Sequence, residues 1–201
     1  MPFPREQLVA FLVAISFAAG LNLYATVATL GLLARAGLVV LPGELGLLAN
    51  WWVIGLSGAL FAVEFFADKI PVVDLVWNAI HTFVRVPAGA LLGYGATSPL
   101  GPEWQMAAAG IGGVVALAAH GGKTAARAAV TASPEPFSNI ALSAAEDAFA
   151  IVVTWFATRH PFVAAGIVIT MLAATVLLAR WVVRAVRGLF RARRQSTFMS
   201  L

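Results

Sequence analysis

Four sets of polar residues in this chain recur every three or four positions, the spacing that puts side chains on one face of a helix. Glu64 and Asp68 form the first, followed at once by Lys69, Pro71 and Asp74. Asp74, Asn78, His81 and Arg85 form the second, a continuous stripe. His120, Lys123 and Arg127 form the third, with Gly121 and Gly122 after the histidine. Asn139, Ser143 and Glu146 form the fourth, with Asp147 adjacent. Clustered carboxylates of this kind bind and release protons or small cations. Three basic groups on one face grip a phosphate or a carboxylate. His81 is a group that titrates near neutral pH.

The surroundings decide what that chemistry is worth. Of 201 residues, 61% are hydrophobic and only 11% are charged, with a mean hydropathy of +0.90. An average soluble domain is about 25% charged. So apolar a chain cannot cover itself with polar surface, and it is too apolar for intrinsic disorder. An integral membrane protein is expected. Inside a bilayer an ionisable group costs roughly 2.5–3.5 kcal/mol on insertion scales, so such groups pair, and they mark ion pathways. Glu64 lies about one turn inside its segment. Glu146 and Asp147 cannot both ionise cheaply unless Lys123 and Arg127 neutralise them. Lys69 is placed to neutralise Glu64 or Asp68, Pro71 to force a turn, and Asp74 to cap the helix that follows. The same stripes also suit a hydrogen-bonded seam between helices, and the basic set also suits the cytoplasmic membrane edge.

Several chemistries are excluded. The chain has no cysteine, so disulfides, thiolate nucleophiles and thiolate metal sites are out. It has no His-Glu-x-x-His, no glycine-rich phosphate loop and no Gly-x-Ser-x-Gly elbow. His81, His120 and His160 are too scattered for a zinc site. No enzyme activity, metal or cofactor is expected. The net charge of +4 reads as membrane orientation rather than nucleic-acid binding.

Six apolar stretches must position these residues, each near the ~20 residues a crossing needs. They run over Leu8–Leu33, Asn50–Ala67, Val73–Tyr94, Trp104–Ala119 with a polar extension to Arg127, Phe137–Ala157 and Pro161–Val183. The small-residue run Phe17 to Gly20 resembles a signal-peptide cleavage site, but the apolar character continues to Leu33, so a retained span is expected. The fold class is all-α, with about six transmembrane helices in one domain over residues 1–201. Gly20 and Asn22 interrupt the first span, and Gly121 and Gly122 the fourth. That pairing suggests two inverted three-helix repeats, residues 8–96 and 104–183. With both termini in the cytoplasm, ten of the 13 Lys and Arg residues lie inside, leaving Arg35, Arg85 and Arg159 outside or toward the outer face. Residues 184–201 are then a basic cytoplasmic tail suited to anionic lipid.

The string from Glu64 to Asp74, with Pro87 and Gly89 beyond it, resembles a family of bacterial integral membrane proteins known only as a domain of unknown function. The second half resembles it too, through His120 to Arg127, Ser133-Pro134-Glu135-Pro136, Asn139, Ser143 and Glu146-Asp147. The resemblance implies a multi-pass protein of the bacterial inner membrane and implies no reaction. The expected function is a secondary transporter or channel for a small ion or solute, worked by intramembrane carboxylates. The alternatives are an anionic-lipid binding or flipping protein and a non-transporting scaffold or assembly factor. Membrane lipids and a small ion or solute are the expected partners, with a homo-oligomer plausible at this size and no nucleic acid.

Overall fold

The computed structural model describes residues 3–131 and 136–198. Every regular element among them is a helix. Seven α-helices run in order as α1 (Arg5–Leu21), α2 (Leu23–Arg35), α3 (Trp51–Ala67), α4 (Pro71–Ala96), α5 (Pro102–Thr131), α6 (Pro136–Arg159) and α7 (Pro161–Phe198). Two short 3-10 helices, Gly43–Ala49 and Ser98–Leu100, lie in the connections. The chain forms two compact units, Met1–Val168 and Ile169–Leu201. The second is the remainder of α7 and carries the exposed Arg180, Arg184 and Arg187.

Within the first unit α1 is the central element. Phe11, Leu12, Ala14, Ile15, Ala18 and Ala19 are all buried, so the helix is covered on every side. It packs on α4, α5 and α6. Small residues permit this. A Cβ on Gly20 would stand 2.5 Å from the Ala116 carbonyl oxygen and 2.7 Å from Ala119 Cβ on α5. α4 and α5 meet in the same way, since a Cβ on Gly89 would stand 2.8 Å from the Gly112 oxygen. Without a side chain, backbones approach closely enough for dispersion to hold them.

Large apolar side chains cover the outside of the bundle, and its interior holds polar and charged side chains beside the apolar core around α1. Trp52 on α3 is 87% exposed and Phe83 on α4 is 82% exposed, while Glu64, Asn78, Arg85 and Thr154 are buried. This suits a hydrocarbon solvent better than water. Among the described residues, α6 over Ile140–Arg159 and α7 over Pro161–Trp181 are long and apolar enough to cross a membrane. The 3-10 helix Gly43–Ala49 and α3 qualify jointly as one bent pair, at 71°. That makes two crossings, or three, and the six expected are not established. The physical reason is local. α1 and α2 are cut short by the break between them, and α4 and α5 carry the polar stripes.

The interruptions also differ from expectation. The first span breaks at Asn22, where φ is −147° and ψ is 104°. Gly20 lies inside α1 and serves the close approach to α5. Gly121 and Gly122 do not interrupt α5, which is continuous from Pro102 to Thr131. The His120 and Lys123 side chains anchor the helix on both sides of the pair. The parallel between the two halves therefore loses its second broken helix.

Candidate functional site

The break in the first helix builds the centre of the site. The Asn22 amide oxygen accepts from the Ala25 N–H at 2.9 Å and so caps α2. A helix end also leaves carbonyls without a partner in the helix. Two of these meet cations from other helices. Lys123 Nζ donates to the Leu21 oxygen at 3.0 Å, and Arg85 Nη1 donates to the Gly20 oxygen at 3.4 Å. The negative end of the α1 dipole thus faces two positive charges.

The same cations organise the carboxylates. Arg85 on α4 pairs with Glu64 on α3, and both side chains are 0% exposed. Lys123 on α5 is the hub, with Nζ at 3.2 Å from Asp68 Oδ2, 3.5 Å from Glu146 Oε2 and 3.8 Å from Glu64 Oε1. Arg127, one turn on, donates through Nη2 to Asp68 Oδ2 and to Glu146 Oε2, each at 2.8 Å. Its Nε reaches the same Glu146 oxygen at 3.1 Å. Four helices are tied together by these bonds. Buried pairs of this kind hold only when desolvation is offset by good geometry and further hydrogen bonds.

Asp147 is held differently. Asn22 Nδ2 donates to its Oδ1 at 2.8 Å, joining α6 to the helix break. Buried oxygens on three of the carboxylates, Glu64 Oε2, Asp68 Oδ1 and Asp147 Oδ2, have no hydrogen-bond partner among the described residues.

Two histidines extend the network along α4 and α5. Arginine has only donors, so His120 Nδ1 accepts from Arg85 Nη1 at 2.9 Å. Its Nε2–H then donates to Thr82 Oγ1 at 2.8 Å, and the Asn78 oxygen lies at 3.2 Å. His120 is therefore the neutral Nε2–H tautomer. His81 Nδ1 donates to the Trp77 oxygen at 2.8 Å, and Nε2 shares a hydrogen bond with the Tyr24 hydroxyl at 3.0 Å. Trp77 stacks on the His81 ring, with centroids 4.4 Å apart. Tyr24 also lines a separate apolar cavity of about 450 Å³, with Leu23, Leu45, Leu60, Leu92 and Tyr94 among its walls. Among the described residues no three His, Cys, Asp or Glu side chains converge to hold a metal ion.

A family model described as Domain of unknown function (DUF4126) matches residues 9–181. The chain belongs to that family. The match contains every residue of the network above and ends at Trp181. No curated protein and no solved structure matches the chain.

In this DUF4126 chain, Glu64, Asp68, Arg85, Lys123, Arg127 and Glu146 come together as one network of ion pairs. His120 joins through Arg85, Asn78 through its carbonyl, and Asp147 through Asn22. His81 lies on the Tyr24 branch. Lys69 does not neutralise Glu64 or Asp68 as expected. Its Nζ donates to the Phe65 oxygen at 2.7 Å and sits 3.0 Å from the Phe65 ring centroid, while Lys123 and Arg127 take Asp68. The N-cap position of α4 is Ile70 and its first residue is Pro71, so Asp74, expected to cap the helix, stands inside its first turn. The Asp74 and Asn139 side chains lie outside those the structure describes, as do Ser133, Pro134 and Glu135. Sequence reasoning missed Tyr24, Thr82 and the carbonyls of Gly20 and Leu21. Thr82 had a signal, lying four residues after Asn78 on the same stripe. Tyr24 had none, because only the turn at Asn22 aims it at His81.

Proposed function

We propose that this protein moves a small ion or solute across the bacterial inner membrane, as a secondary transporter or channel, and that Glu64, Asp68, Glu146 and Asp147 carry the ion. The observation behind this reading is the set of buried carboxylate oxygens with no hydrogen-bond partner among the described residues, gathered beside a broken helix. Such oxygens are costly unless a proton, a cation or a hydrogen-bond donor meets them, and a proton or a cation is a cargo they suit. Broken helices beside ionisable groups are where transporters bind their cargo. Changing the charge of one carboxylate redistributes the shared cations, and so favours one helix arrangement over another.

In this reading the chain crosses the membrane six times, with α1 and α2 forming one broken crossing. α4 and α5, of 26 and 30 residues, are long enough for a hydrocarbon core of about 30 Å. Their polar residues face one another, which is how charged helices reside in a bilayer. The distribution of Lys and Arg supports cytoplasmic termini. Lipid handling is the weaker reading. The apolar cavity suits a hydrocarbon chain, but Lys123 and Arg127, which would hold a phosphate, already face Asp68 and Glu146. In a scaffold the same network would serve only as packing.

Purified protein in liposomes tests this. Internal pH and membrane potential are followed against a panel of cations and anions, with Glu64→Gln as control. Flux that disappears in a folded Glu64→Gln protein supports the transporter. A folded parent with no flux across the panel removes it.

A further inference from the structure

Among the described residues, Asp147 is the buried carboxylate of this site that has no cation within ion-pair distance. Glu64, Asp68 and Glu146 each lie no further than 3.8 Å from Arg85, Lys123 or Arg127. Each of those three carboxylates therefore has at least one cation in ion-pair reach. Asp147 is the fourth carboxylate, 3% exposed, and it forms no ion pair among the described residues. His120 does not supply the missing positive charge, because its Nδ1 accepts from Arg85 and the ring is neutral.

The hydrogen bonds say where a proton on Asp147 would be. Asn22 Nδ2 donates to Oδ1 at 2.8 Å. The amide cannot be turned round, because its oxygen is held by the Ala25 N–H. Oδ1 is thus committed as an acceptor, and Oδ2 is the buried oxygen without a partner among the described residues. The groups that act on Asp147 are Asn22 from the helix break, Lys123 from α5, Glu64 from α3, Asp68 at its C-cap and Lys69 in the turn that follows, with Glu146 the preceding residue of its own helix. Lys123 is shared among three other carboxylates, and Lys69, whose Nζ is held at the Phe65 oxygen, forms no ion pair with Asp147 among the described residues.

We propose that Asp147 is the proton-binding site of this protein, protonated at Oδ2 in the arrangement described, and that loss of this proton draws Lys123 from the Leu21 carbonyl and loosens the α1–α2 break. The step balances simply. The Oδ2–H bond breaks, its electron pair stays on the carboxylate, and the proton passes to water. Asp147 then carries a buried negative charge, and Lys123 is the cation nearest in effect that can answer it. This deepens the transport reading by naming the ion, and its coupling half rests on that reading.

Infrared spectroscopy of the purified full chain tests the site without any transport. A protonated carboxyl has a C=O band that isotope-labelled aspartate shifts. The expected result is one aspartate-sensitive band at neutral pH, lost in Asp147→Asn and kept in Asp68→Asn. No such band, a band that survives Asp147→Asn, or an imidazolium signal from His81 in its place overturns the proposal. If Asp147→Asn does not fold, Asp147→Glu serves, and the band must move from the aspartate label to the glutamate label. Liposome flux separates the two readings. The band without flux removes the transporter and leaves the proton site standing. Flux with unchanged pH dependence in folded Asp147→Asn removes the coupling.

Discussion

The Glu64–Arg85 pair is the sharpest test of how the buried network stabilises this protein. Both side chains are 0% exposed, so removing one partner leaves the other charge in a medium that solvates it poorly. Breaking a buried pair from one side costs about 3–5 kcal/mol. The two sides are not equivalent. In Glu64→Gln, Arg85 keeps its bonds to His120 Nδ1 and the Gly20 oxygen, which places the loss near about 3 kcal/mol. In Arg85→Met, Glu64 keeps only Lys123 at 3.8 Å. His120 and Gly20 lose a donor as well, so the loss approaches about 5 kcal/mol. The double variant removes both charges together and should recover about 3 kcal/mol of the summed losses, the upper range for residues in contact. Reversible unfolding of the purified protein in mixed micelles measures all four corners. Additivity within about 0.5 kcal/mol would refute the reasoning, because it would mean the pair contributes nothing as a pair.

Other outcomes follow from the same geometry. Gly20→Val should destabilise by at least about 1–3 kcal/mol, because its Cβ would stand 2.5 Å from the Ala116 oxygen. Gly121→Ala should be neutral or stabilising by up to about 1 kcal/mol, since nothing lies within 4 Å of that Cβ; the same unfolding assay reads both. Asn22→Ala should cost about 1 kcal/mol for the lost cap, and more for the donor lost at Asp147, seen as faster hydrogen exchange at the start of α2. Because the chain has no cysteine, a single introduced one reports sidedness. With six crossings, Ala36→Cys, Glu103→Cys and His160→Cys label from outside intact cells, and Ile70→Cys labels only after permeabilisation. Labelling of Ile70→Cys from outside would remove that topology.

Most of the helices are legible in the residue pattern alone. The apolar stretches anticipate α3 through α6 to within a few residues at most of their ends, because apolar runs bounded by Pro and Asn have few other options. The break at Asn22 is legible from Gly-Leu-Asn inside an apolar run. The same reasoning fails at Gly121-Gly122, since glycine permits a break and does not impose one. At Asn22 a cap and a long-range bond to Asp147 impose it.

By itself the sequence determined that the chain is helical and apolar, and that its charged residues share helix faces, because spacing and composition are local properties. It could not decide who pairs with whom. Lys69 is the nearest cation in sequence to Asp68, yet Lys123 and Arg127 take it, from 55 and 59 residues away. That choice, the use of two α1 carbonyls as ligands, and the pairing of Asp147 with Asn22 all depend on how close the helices come. Their approach is set by packing at Gly20, Gly89 and Gly112, a property of the assembled bundle that no single segment encodes.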